Sequence, residues 1–122
     1  MSRVTIPQNH WDTFLREFSR ERQGWRVRIE THDLETGEAV LSQETRLQSI
    51  EFDVEDASTP RINVIVQIDN KTIKHMFVMP CELTLFPPTP GKDEALHFKS
   101  HNTETFVHLR TEKSRSSVDQ VA

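Results

Sequence analysis

The sequence predicts an α+β domain, in which one N-terminal amphipathic helix packs on a curved, mainly antiparallel sheet or open barrel of about seven or eight strands. Two observations support this class. Hydrophobic residues near the N-terminus recur at helical spacing, and after Trp25 they alternate with polar residues along most of the chain. We therefore expect one globular domain over residues 1–112 and a disordered polar tail over residues 113–122.

The predicted helix covers residues 8–22. Four large apolar residues in it fall at positions i, i+3, i+4 and i+7 and so share one stripe: Trp11, Phe14, Leu15 and Phe18. Pro7 suits a first helical turn, and Gly24 suits the position just past the helix end. Because a helix of this length is marginal alone in water, its aromatic side chains must dock on the sheet that follows.

Alternation predicts a weak strand over residues 38–46, a stronger strand from Ile50, and then a hairpin that is apolar on both faces. If this hairpin turns on Asn70 and Lys71, Val66 lies opposite His75 on one apolar face. The opposite face carries further apolar residues. Together with one residue of the last strand, these form the predicted partner interface: Ile65, Met76, Val78 and Phe106.

A second hairpin is predicted to turn on His101 and Asn102, which places Lys99 opposite Glu104 as a pair of opposite charge. Four residues then share its outer face: His97, Lys99, Phe106 and His108. A metal ion needs three or four ligands at about 2 Å. The histidines at 97, 101 and 108 could supply such a set only if the turn folded back, so this metal site stands beside the plainer interpretation of solvent-facing imidazoles.

His75 differs from the other histidines because the predicted register places it on an apolar face. One interpretation is a buried neutral imidazole that bonds to the backbone. The other is the polar group of a ligand pocket between helix and sheet, with Trp11 and Trp25 lining it.

Composition argues against several functional classes. The formal net charge of −4 argues against a general nucleic-acid binder. No apolar run approaches the ~20 residues of a membrane span, and the N-terminus lacks the apolar core of a signal peptide, so we expect a cytoplasmic protein with no membrane partner. One cysteine, Cys81, cannot form an internal disulfide. No Gly-rich phosphate loop, nucleophile elbow or zinc motif is present, and we expect no cofactor.

Five short features of the helix and first strand carry a family resemblance: Ile6-Pro7, Trp11, Phe14-Leu15, Phe18-Ser19 and Gly24-Trp25. The run from His75 to Pro80 and the last strand through Leu109-Arg110 are similar in style. Together these residues resemble a bacterial family of small uncharacterised proteins, the domain of unknown function number 5335, over most of residues 5–112. The resemblance implies a bacterial source and assigns no activity, so it carries over no functional residue.

These observations favour a non-enzymatic binding or protein-interaction module that forms a homo-oligomer or binds an unknown protein partner. The reason for this interpretation is that several apolar residues lie on faces of the strands that the pattern predicts to point away from the core. The alternative is a small-ligand carrier or an enzyme whose helix–sheet pocket surrounds His75.

Overall fold

The computed structural model describes residues 3–111, which form one helix and one antiparallel sheet of nine strands. The helix, α1, covers Trp11–Glu21 and follows a 3-10 turn at Gln8–His10. The strands in chain order are β1 (Val4–Thr5), β2 (Arg26–Asp33), β3 (Ala39–Leu41), β4 (Thr45–Asp53), β5 (Arg61–Ile68), β6 (Lys71–Val78), β7 (Cys81–Phe86), β8 (Glu94–Ser100) and β9 (Thr103–Arg110). The α+β class is therefore confirmed. The predicted disordered tail lies outside the described residues.

The sheet runs in the order β1-β7-β8-β9-β2-β4-β5-β6, and β3 pairs with β2 beside this path. One edge of β2 pairs with β9 along its whole length. Its other edge is shared, because β4 pairs with Arg26 and Val27 while β3 pairs with Glu30–His32. β1 and β6 stand at the two ends of the path, so the sheet is not closed into a barrel.

The sheet bends back so that its two halves enclose one core. Phe77 on β6 and Phe98 on β8 pack edge to face with ring centroids 5.0 Å apart, although four strands separate β6 from β8 in the sheet order. Further side chains from both halves are almost wholly buried between them: Val27, Ile29, Leu47, Ile50, Ile62, Val64, Val66, Leu96, Val107 and Leu109. Burial of this apolar area is the main contribution to the stability of the fold.

α1 packs on β4 through three buried side chains of the predicted stripe: Trp11, Leu15 and Phe18. Trp11 meets Phe52 edge to face at 5.1 Å, and its indole N–H donates to the carbonyl oxygen of Ile6 at 2.8 Å. Gly24 follows the helix with φ +87°, a left-handed conformation that glycine adopts without steric cost. Within residues 3–111 no helix is both long enough and apolar enough to cross a membrane.

The structure confirms one predicted hairpin register and corrects the other. Lys99 lies opposite Glu104 across the β8–β9 turn, as expected. The β5–β6 hairpin turns on Asp69 and Asn70, and Val64 rather than Val66 lies opposite His75. Asp69 adopts φ 56°, which short polar side chains tolerate. Because the shift is two residues, each side chain keeps its predicted face and His75 still lies on the apolar side.

The expected number of strands was too small. β1 has only two residues, too few to show alternation, yet it pairs with β7. The single weak strand predicted over residues 38–46 is interrupted after β3. There the hydroxyl oxygen of Ser42 accepts the backbone N–H of Ile29 at 2.9 Å in place of a ladder carbonyl. The chain then enters β4 at Thr45, five residues before the predicted start at Ile50.

Candidate functional site at the β6 edge

β6 is an exposed edge strand. It pairs with β5 from Lys71 to Val78, and no strand within residues 3–111 pairs with its other edge. Of the nine large hydrophobic side chains that are exposed in the described part of the chain, four lie at residues 73–79: Ile73, Met76, Val78 and Met79. A long edge with apolar side chains is a template for pairing with another strand.

A shallow groove lies between β6 and β3, and we call it the β3–β6 groove. It has a volume of about 190 Å³ and is lined by Ile29, Thr31, Val40, Ser42, His75, Met76 and Phe77. Val40 on β3 is 68% exposed, so this wall of the groove is open to solvent. The lining is mainly apolar, and His75 is its ionisable member.

His75 is half-buried beside Val64 of β5 and makes no hydrogen bond through its ring with any residue from 3 to 111. Burial lowers the pKa of His75 below its usual value, because the charged imidazolium loses solvation. At neutral pH the ring is therefore uncharged, and its nitrogens can form hydrogen bonds with a group that enters the groove. The structure thus places His75 in an open groove between two strands rather than between helix and sheet.

The outer side of β5 and β6 holds Met76 and Val78, two residues of the predicted interface. Met76 is 54% exposed, and its sulfur lies 3.8 Å from Nη1 of Arg61. Asn63 lies directly opposite Met76 on β5 and is 1% exposed, and its Oδ1 has no hydrogen-bond donor among residues 3–111. Ile65 follows on the same face and is half-buried. The sequence pattern did not predict that the amide of Asn63 is buried, because alternation of an asparagine with apolar residues predicts an exposed position.

Trp11 and Trp25 do not join His75. Trp11 is 2% exposed and belongs to the core under α1. Trp25 borders a larger groove of about 790 Å³ beside the loop from Pro88 to Asp93. The structure therefore does not bring the three residues of the predicted ligand pocket together.

The larger groove has a buried ion pair in its wall. Nε of Arg22 donates to Oε1 of Glu94 at 2.6 Å, and Nη2 donates to Oε2 at 3.0 Å. The Arg22 guanidinium also lies 3.8 Å from the centre of the Phe18 ring and 5.2 Å from that of Trp25. Burial alone would lower the pKa of Arg22, but the hydrogen bonds to Glu94 and Glu21 and the charges of these two carboxylates together outweigh this effect and raise it. This ion pair holds the end of α1 against β8. We therefore assign it a structural role rather than a role in binding.

Phe106 lies on a different surface from Met76 and Val78, on the outer face of β9. The centroid of its ring lies 4.5 Å from the ring centroid of His97 and 6.1 Å from that of His108. The predicted sharing of this face is therefore confirmed, and Phe106 is half-buried among the imidazoles.

Each of these imidazoles is paired with a carboxylate. His97 contacts Glu104 at 2.6 Å, while Glu30 contacts His108 at 2.8 Å and His32 at 2.6 Å. Hydrogen bonds from His108 and then from His32 hold the pKa of Glu30 below its usual value. The sequence did not predict the role of Glu30, because its contact with His108 depends on the β2–β9 register, which joins distant parts of the chain.

The three histidines of the predicted metal site do not converge. His101 lies at the β8–β9 turn and contacts Asn102 at 3.2 Å, away from the Glu-paired rings of His97 and His108. Among residues 3–111 no three His, Cys, Asp or Glu side chains are placed to bind one metal ion. Cys81 is a free, exposed thiol at the start of β7.

Comparison with known proteins places the chain in a family without assigning a function to it. No curated protein and no solved structure matches the chain. One family model, described as a family of unknown function (DUF5335), matches residues 2–118. Since this match covers nearly the whole sequence, the protein belongs to the family of unknown function DUF5335.

Proposed function

We propose that this protein is a non-enzymatic interaction module that accepts an extended polypeptide segment as an additional strand beside β6. The observation that carries the proposal is the edge of β6 that no strand of residues 3–111 covers, which is eight residues long and rich in exposed apolar side chains. Main-chain hydrogen bonds along such an edge supply affinity, and side-chain pockets beside it supply specificity.

The chemistry of the accepted strand follows from the two sides of β6. Side chains that point inward would enter the β3–β6 groove, whose lining favours apolar groups of modest size. Side chains that point outward would cover Met76 and Val78. Lys71 and Lys74 add positive charge along the same strand, so acidic or neutral residues are favoured opposite them.

A peptide titration tests this proposal. The probe is a synthetic extended peptide in which apolar residues alternate with neutral polar ones, added to isotope-labelled protein and followed by NMR. We expect chemical-shift changes confined to β3 and β6, including those of His75. The Ile73→Lys variant of the protein should bind the peptide more weakly. The matched control is Val54→Lys, since Val54 is also exposed but lies just after β4. Equal effects of both substitutions, or no shifts up to the solubility limit, would count against a docking strand.

A second candidate is a small-ligand carrier or enzyme that uses the groove around His75. This candidate is favoured by the half-buried imidazole of His75, which has no hydrogen-bond partner in the described part of the chain. The volume of about 190 Å³ argues against it, because ligand pockets usually measure about 300–1,000 Å³. NMR titration with a panel of small metabolites separates the two. A small ligand in the groove would shift the resonances of His75 and leave those of the outward residue Val78 unchanged, whereas an added strand would shift both.

A further inference from the structure

We infer that Met76 is a site of reversible oxidation to methionine sulfoxide, and that Arg61 binds the oxygen which this reaction adds. Met76 lies on the outward side of β6 and is 54% exposed, so peroxides in solution can reach it. Its Sδ lies 3.8 Å from Nη1 of Arg61 at the start of β5. The inference rests on this contact and does not depend on strand uptake at β6.

The oxidant is a hydroperoxide, of which hydrogen peroxide is the simplest. A lone pair of the thioether sulfur attacks one peroxide oxygen, so that an S–O bond forms as the O–O bond breaks. The hydroxide that leaves takes the proton from the oxygen now bound to sulfur and becomes water. Sulfur is thereby oxidised by two electrons and the peroxide is reduced. Methionine sulfoxide reductases reverse the change, with a separate enzyme for each epimer of the sulfoxide.

Arg61 has N–H donors that lack a strong acceptor in the reduced protein. A guanidinium carries five such donors, whereas the sulfur of a thioether is only a weak acceptor. Nε of Arg61 is buried without a hydrogen-bond partner among residues 3–111, and its 3.9 Å separation from Oδ2 of Asp53 is too long for a hydrogen bond. An oxygen added to the sulfur of Met76 on the side of Arg61 lies closer to Nη1 than the sulfur does, and so approaches the usual hydrogen-bond distance of about 2.7–3.2 Å.

The position of Arg61 also predicts which epimer of the sulfoxide forms. The sulfur of Met76 has two lone pairs, and oxygen added to one or the other gives the two epimers. The guanidinium lies close to the sulfur, so its N–H groups can hold the incoming peroxide on their own side. One epimer should therefore form in excess, by about threefold or more if one hydrogen bond of ordinary net strength decides the side.

Met79 provides a control within the same chain. It follows β6 directly and is 53% exposed, almost the same as Met76. In the described part of the chain no donor contacts its sulfur. Because the two methionines are equally open to solvent, we expect hydrogen peroxide to oxidise both. Only Met76 should show an excess of one epimer.

Oxidation also changes the surface beside the edge of β6, and this one consequence rests on the proposed function. A sulfoxide turns the apolar side chain of Met76 into a polar one. An extended peptide that covers the outward side of β6 should therefore bind the oxidised protein less tightly, by about threefold or more for the lost burial of an apolar group. The loss should persist in Met79→Leu and disappear in Met76→Leu.

Treatment of the folded full chain with dilute hydrogen peroxide tests the site. Mass spectrometry of proteolytic peptides should show one added oxygen on Met76 and one on Met79. The two epimer-specific reductases should then remove unequal shares of the oxygen from Met76 and equal shares from Met79. Arg61→Leu should abolish this inequality, and Arg61→Lys, which keeps a charged donor, should preserve part of it.

Each part of the inference has its own contrary outcome. Oxidation of Met79 without oxidation of Met76 overturns the site. Equal shares of the two epimers at Met76 in the parent protein, or the same inequality in Arg61→Leu, overturn the role of Arg61. Unchanged binding of the alternating apolar and polar peptide by oxidised Met79→Leu overturns the effect on docking. Failure of that peptide to bind the reduced protein overturns the proposed function, while the epimer ratio at Met76 still decides the oxidation site.

Discussion

The Arg22–Glu94 ion pair gives the sharpest prediction about stability. Arg22→Met removes the guanidinium and keeps an apolar stem against Phe18 and Trp25. It leaves the carboxylate of Glu94, whose side chain is only 8% exposed, without its two charged hydrogen bonds. Loss of one partner from a buried pair costs about 3 kcal/mol or more. For a domain of this size that lowers the Tm by roughly 12 °C.

A double-mutant cycle measured by urea denaturation separates the pair from its surroundings. Replacing both partners, as Arg22→Met with Glu94→Leu, leaves no charge buried alone and should recover all but about 1 kcal/mol. The control is Arg16→Met. Its ion pair with Asp12 is also 2.6 Å long, but both side chains are more than 60% exposed, so the loss should be below about 0.5 kcal/mol. Equal losses at the two sites, or a double variant no better than the single, would refute the argument from burial.

Three further outcomes are expected. Leu15→Ala leaves a cavity in the fully buried core under α1 and should cost about 3 kcal/mol in urea unfolding; a cost below about 1 kcal/mol would mean that the helix is loosely packed. Asn102→Ala should cost about 1 kcal/mol and Asn102→Gly almost nothing in the same assay, because this residue holds φ 59°; an equal cost would remove the conformational explanation. Because burial lowers the folded-state pKa of His75, its stability contribution is full above the unfolded-state pKa of about 6.5 and declines as the pH falls toward the lower folded-state value. Thermal unfolding from about pH 8 to about pH 5 should therefore show this loss in the parent and less of it in His75→Phe, and identical profiles would contradict it.

Local patterns predicted the elements well where one short-range signal decided the structure. The β8–β9 hairpin combines a turn asparagine with opposite charges on its strands, and its register was predictable in full. The start of β4 was not, because a bulge between Leu47 and Ser49 breaks the alternation there. Leu47 and Ile50 both enter the core despite their odd spacing, so the pattern shows only the regular half of the strand.

The candidate site was predictable in its residues but not in its surroundings. The apolar surplus of the β5–β6 hairpin pointed to Met76 and Val78, and alternation put His75 on the apolar side. Which edge of that hairpin stays open depends on the order of all the strands, and no local pattern encodes this order. For the same reason the sequence suggested α1 as the cover of His75, whereas the structure places β3 across from it.

The pairing of β2 with β9 also constrains the order in which the molecule can fold. Its partners run from Arg26 with Arg110 to Asp33 with Thr103, so this ladder joins residues near opposite ends of the described chain. Closing so long a loop carries a large entropic cost, and contacts of this kind slow folding. The neighbouring strands β4, β5 and β6 pair locally and can form first. During synthesis β2 must wait for β9, and we expect any chain truncated before Thr103 to leave the central strand of the sheet without its longest partner.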